Sequence, residues 1–99
     1  MGQLDRQALN LIRAVFAKYP QVGQAMLFGS RAKGTARYNS DIDIALRGVI
    51  DWQGSALIAD DLNELPLPYK FDVLVYDQIT NPDLRAHIDR VGKMLYIKQ

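Results

Sequence analysis

The chain has 99 residues, 48% of them hydrophobic and 23% charged, and it contains no cysteine. That length suits a single domain, residues 1–99, with a modest core, and the missing thiols exclude disulfides and cysteine-held zinc. The net charge of +1 hides an uneven split: residues 1–40 carry six Lys or Arg against one acid, residues 41–99 six against ten.

In chain order, Leu4, Ala8, Leu11, Ile12, Val15 and Phe16 recur at helical spacing, which predicts an amphipathic helix over 4–18, stopped by Pro20. This opening stretch is broken by charges and lacks the apolar run of a secretory leader. No segment is long and apolar enough to span a bilayer, and a cytoplasmic protein is expected. Residues 23–28 read as a short buried strand, followed by a turn or single helical turn over 30–36. Residues 41–46, DIDIAL, alternate as a strand does, so Asp41 and Asp43 share one face and Ile42, Ile44 and Leu46 the other. Asp51 is the expected N-cap of a second helix over 52–64, with LPLP at 65–68 as its stop. Residues 70–76 form a third strand with Phe71, Val73 and Val75 on one face and Asp72 and Leu74 on the other. Asn81-Pro82 opens a last helix, whose apolar positions are Leu84, Ile88, Val91 and Leu95. The sum is an αβαβαβα chain of α/β (α+β) class: a small mixed sheet of three or four strands with helices mainly on one face.

The bare face would then carry Asp41, Asp43 and Asp72. Strand residues two apart sit roughly 6.6–6.8 Å apart at Cα, and paired metals in phosphoryl-transfer sites lie about 3.5–4 Å apart. Like charges held together raise one another's pKa. Magnesium, a hard ion that takes oxygen ligands and keeps several waters, would relieve the conflict.

Gly29 and Ser30 follow a strand directly. Backbone N–H groups at such a turn bind phosphate oxygens, and Arg31, Lys33 and Arg37 can neutralise a triphosphate. The run lacks the spacing of a P-loop and of a dinucleotide-binding fingerprint. Of the remaining residues, His87 is assigned to packing or surface and Met26 to the core. Trp52 is expected to anchor the start of the second helix, and Gly92 to allow close packing of the last one.

Joined together, the segments LFGSRAKGTARYNSDIDIAL, FDVLVYD and IDRVGKMLYIK resemble the minimal nucleotidyltransferase (MNT) family of the DNA polymerase beta-type superfamily, over residues 4–97. The resemblance implies a nucleotidyltransferase fold and a defined set of roles. Gly29 and Ser30 would grip the triphosphate, with Arg31 or Lys33 beside them. Asp41 and Asp43 would ligate Mg²⁺, as two ions, and Asp72 would complete the site and orient or deprotonate the acceptor hydroxyl. ATP would be the substrate. The resemblance also implies a partner, a helical HEPN-family toxin, with this chain as the antitoxin in a hetero-oligomer. The antitoxin would move AMP from ATP to a hydroxyl of the toxin, as a protein adenylyltransferase acting on tyrosine. The chain has no room for an acceptor domain, so the partner is expected to supply the acceptor, at rims near Tyr38 and a C-terminal helix bearing Tyr96. Two other readings stay open at this point. One is a non-catalytic antitoxin or nucleotide-binding module that neutralises its partner by contact. The other is an RNA-modifying nucleotidyltransferase, against which the modest net charge weighs; direct nucleic-acid binding is not expected.

Overall fold

The computed structural model describes residues 5–28 and 41–98. Along the chain these form α1 (Arg6–Ala17), β1 (Val22–Phe28), β2 (Ile42–Gly48), α2 (Trp52–Asn63), β3 (Phe71–Val75), a 3-10 turn (Tyr76–Gln78), α3 (Pro82–Val91) and β4 (Lys93–Ile97). Among the described residues the four strands make one mixed sheet in the order β3-β2-β1-β4. β1 runs antiparallel to β2 and β4, whereas β2 and β3 are parallel, with α2 as their crossover.

Each helix starts where its cap residue dictates. The Asp5 carboxylate accepts the Ala8 N–H at 2.7 Å, and the Asp51 carboxylate accepts the Gly54 N–H at the same distance. Asn81 caps α3 by accepting from Asp83 and Leu84, with Pro82 in the first turn, where its missing N–H costs nothing. α1 buries Ala8, Ile12, Val15 and Phe16, and α2 buries Gly54, Ile58 and Leu62. These stripes pack on one face of the sheet against Ala25, Leu27, Ile42, Ile44, Leu46, Phe71 and Val75. Ile42, Ile44 and Leu46 are each wholly buried. Each such side chain contributes roughly 1.5–3 kcal/mol of apolar burial, and a one-residue slip would exchange them for the aspartates. The core thus locks the register that turns Asp43 to the opposite face.

That opposite face is partly covered. Ile88 of α3 packs with Phe28, Ala45 and Tyr76, flanked by Met26, Leu84 and Val91. Two guanidinium groups lie over the ring of Tyr76, that of Arg47 of β2 at 4.6 Å and that of Arg85 of α3 at 4.7 Å from its centroid. Its hydroxyl donates to Asp89 at 2.6 Å. This stack ties α3 to the sheet.

The last helix is shorter than its apolar spacing predicts. It ends at Val91, and Leu95 reaches the core from a strand, β4, rather than from a helix. Gly92 is the reversal point, not a helical packing position. A Cβ there would stand 2.5 Å from the Ile88 carbonyl oxygen, so a side chain would push the turn apart. The expected close approach at Gly92 is real, but it belongs to the helix-to-strand turn. Tyr96 accordingly sits on β4, half-buried, with its ring 5.5 Å from that of Phe16. Trp52 also departs from expectation: it begins α2 but is 72% exposed. His87 is half-buried and meets the Phe28 ring edge-on at 6.5 Å, a packing role.

Candidate active site

The parallel pairing of β2 with β3 sets Asp43 directly beside Asp72 as Cα partners. Adjacent strands lie roughly 4.8 Å apart, and partners in register point to the same face, so two carboxylates from segments 29 residues apart in sequence stand side by side. Asp43 is half-buried and Asp72 exposed. Asp41 lies one residue before β2 and is exposed. Across the other ladder Asp43 is paired with Phe28, the last residue of β1. The site therefore sits at the C-terminal end of β1. The expected phosphate-binding residues Gly29, Ser30, Arg31 and Lys33 lie outside the described residues, as do Arg37, Tyr38 and the turn over 30–36.

The electrostatics follow from this placement. Burial pushes the Asp43 carboxyl above the ordinary aspartate range, and the charges of Asp72 and Asp41 push it further the same way. Among the described residues no group of three His, Asp or Glu side chains stands close enough to hold a metal ion by itself. The arrangement is a register pair with a third carboxylate near enough to act through its field.

That arrangement fits Mg²⁺. The donors are hard oxygens, and their mutual repulsion is what a divalent cation would cancel. Magnesium binds through one or two carboxylates with the substrate's phosphates and water supplying the rest, rather than in an all-protein cage. Asp43 and Asp72 are the pair that would hold it, with Asp41 acting on them through its charge.

Two features of the site escaped sequence reasoning. Asp43 and Asp72 were assigned to one face, but their direct pairing depends on the parallel register, which no local pattern encodes. The cover of the carboxylate face by α3 depends on long-range packing of Ile88 on Ala45. Leu74, assigned by alternation to the face of Asp72, lies one strand repeat beyond it on the outer strand and is 37% exposed. Among the described residues, no helix is long and apolar enough to cross a membrane.

A family model described as "Polymerase beta, Nucleotidyltransferase" matches residues 10–99. No curated relative matches the sequence. Among solved structures, the fold is similar to a chain of a toxin-antitoxin crystallised with AMP-PNP, with a TM-score of 0.76 and 28% identity over 92% of this chain and 74% of that one. It is also similar to a chain of a mutant toxin-antitoxin MntA-HpeT, with a TM-score of 0.74 and 26% identity over 98% of this chain and 76% of that one. A third similar structure is from Shewanella oneidensis: a tri-AMPylated HEPN toxin in complex with an MNT antitoxin. Its TM-score is 0.71 at 22% identity, covering all of this chain and 75% of that one, a likeness of fold alone. With the family match running through both β2 and β3, and with an MNT-type fold around them, the chain belongs to the polymerase beta-type nucleotidyltransferase family.

Proposed function

We propose that residues 1–99 act as one cytoplasmic domain, a Mg²⁺-dependent nucleotidyltransferase that moves AMP from ATP to a hydroxyl, taken to be a tyrosine, of a HEPN-type partner and thereby serves as its antitoxin. The observation that carries this reading is the side-by-side placement of Asp43 and Asp72 on one face in a chain of this family. Support for the partner comes from the toxin-antitoxin assemblies whose chains share the fold. Support for the transferred group comes from the AMPylated toxin in one of them.

In this mechanism the acceptor oxygen attacks the α-phosphorus of ATP. A new oxygen–phosphorus bond forms, and the bond from the α-phosphorus to the bridging oxygen breaks. Pyrophosphate leaves with the electron pair, and the hydroxyl proton passes toward the Asp72 carboxylate. Bound Mg²⁺ would supply charge neutralisation on the triphosphate and a lowered acceptor pKa. Asp43, held rigidly by the buried residues on either side of it, fixes the position of the carboxylate pair. Asp72, exposed on the outer strand, is the member open to the acceptor. Gly29, Ser30, Arg31 and Lys33 are assigned to the β- and γ-phosphates.

The test is incubation of the chain with a purified HEPN-type partner, Mg²⁺ and ATP labelled at the α-phosphate. Label on the partner is expected, falling roughly 100-fold or more in Asp43→Asn, the scale seen when a group stabilising transition-state charge is removed. A tight complex without label would leave a contact antitoxin instead. Label on RNA rather than protein would favour the RNA-modifying reading.

A further inference from the structure

β3 is an outer strand of the sheet, and it carries Asp72. Its inner edge is committed: the Ile42 N–H donates to the Lys70 carbonyl at 2.8 Å, which begins the parallel ladder with β2. The alternation of a parallel ladder then turns the backbone groups of Phe71 and Val73 outward. Those of Phe71 are satisfied by one side chain. The Asn63 amide accepts the Phe71 N–H at 2.9 Å and donates to its carbonyl at 3.3 Å. Val73 has no such cover among the described residues, so a donor and an acceptor face outward in the middle of the strand.

Beside this open edge lies a hollow of about 400 Å³, lined by Ser55, Val73, Leu74, Ile79, Thr80 and Leu84 among others. Leu74 projects from the same face as Asp72, one strand repeat away, and is 37% exposed. Trp52, one helical turn before Ser55 on α2, is 72% exposed. An unpaired strand edge with apolar pockets for alternate side chains is the arrangement that accepts an extended segment as an added strand. The other outer strand is less available. The guanidinium of Arg13 on α1 donates to the Leu95 carbonyl of β4 at 2.8 Å, and a register shift interrupts the pairing of β4 with β1.

We propose that the acceptor protein docks an extended segment along the β3 edge. Its backbone pairs with Val73, one apolar side chain fills the hollow at Leu74, and its hydroxyl residue comes to lie beside Asp72. The proposal rests on the reading of the carboxylate face as the transfer site. The occupant follows from two features taken together: Asp72 lies on this outer strand, and the Val73 backbone groups beside it point outward, so a chain that pairs with Val73 brings its own side chains alongside Asp72. Added-strand side chains alternate, so the apolar residue and the modified hydroxyl residue should be two positions apart in the acceptor.

The test uses the full chain with a purified HEPN-type partner, Mg²⁺ and labelled ATP. Hydrogen exchange on the wild-type complex should show protection at Val73 and its β3 neighbours, in Asp43→Asn as well as in the wild type. Leu74→Glu and Trp52→Ala should each weaken partner binding roughly tenfold or more while leaving the affinity for Mg–ATP unchanged. If β3 is protected but no label passes, the docking surface stands and the transfer reading fails. If label passes while β3 stays unprotected and both variants label at the wild-type rate, the docking surface is overturned and the transfer reading stands. Protection confined to α1 and β4 overturns it as well.

Discussion

Asp43 is held where its charge costs the fold something. Its carboxyl titrates above the ordinary range because it is half-buried and faces the charges of Asp72 and Asp41. The folded state therefore takes up a proton more readily than the unfolded chain does, and ionised Asp43 lowers stability at neutral pH. Asp43→Asn should raise Tm at pH 7, and the gain should shrink as pH falls and wild-type Asp43 is protonated. Thermal melts of both proteins across pH 4–8 check this, and a lower Tm for the variant at pH 7 would contradict it. Tyr19 and Asp61 have the opposite sense. The Tyr19 hydroxyl donates to the Asp61 carboxylate, which raises the phenol to about 12 and lowers the carboxyl. The contribution of Asp61 is present above its unfolded pKa and lost as pH falls through its lower folded value. That of Tyr19 is present below about 10, its unfolded value, and lost as pH rises through about 12. Tyr19→Phe should thus lower Tm between pH 5 and pH 9 and converge with the wild type in acid. A Tm difference independent of pH would mean that packing, not the hydrogen bond, carries the effect.

Among the elements, β2 does most to place the site, and its far end depends on Gly48. This residue has φ +147°, and a Cβ there would stand 2.1 Å from the Gln21 carbonyl oxygen. Gly48→Ala should destabilise the protein by about 2 kcal/mol or more, through backbone strain and steric clash together. Denaturant unfolding measures this directly, and a change under about 0.5 kcal/mol, the range of an ordinary surface substitution, would show that the turn adjusts. β2 was legible in the sequence because its alternation is strict: Ile42, Ile44 and Leu46 inward, Asp43 outward. Asp72 was legible for the same reason, and Asp51 and Asn81-Pro82 marked the starts of α2 and α3 through their side-chain chemistry. β4 was not legible. Leu84, Ile88, Val91 and Leu95 keep the helical interval straight across Gly92, so the apolar period gives no reason to stop and Gly92 is the one local stop signal. What turns the following residues into a strand is tertiary: β1 offers an edge, and the chain after Gly92 pairs with Gln24–Leu27. The carboxylate pair was half legible, since faces follow from alternation but register follows from the length and packing of the crossover. Residues 29–40, with the Gly29-Ser30 turn, were read only from sequence.

At the scale of the whole molecule, the core and the site press in opposite directions. The α1–α2 side of the sheet is closed and apolar, while the carboxylate side is left partly open under α3, with like charges in register. Such a molecule should be stabilised by the ligand that cancels those charges. A ligand that binds only the folded state adds about 2.7 kcal/mol at one hundred times its Kd, and for a domain near 100 residues each kcal/mol moves Tm by roughly 4–8 °C. A non-hydrolysable ATP analogue with Mg²⁺ should therefore raise Tm by roughly 11–22 °C at that saturation. Chelation of the metal should remove most of the shift. The double variant Asp41→Asn, Asp43→Asn should start from a higher Tm, because the repulsion is gone, and respond little to the ligand. A variant that melts higher and no longer responds ties the charge repulsion in the fold and the binding of nucleotide to the same carboxylates. A full ligand shift retained in the double variant would place the nucleotide elsewhere and remove the carboxylates from the mechanism.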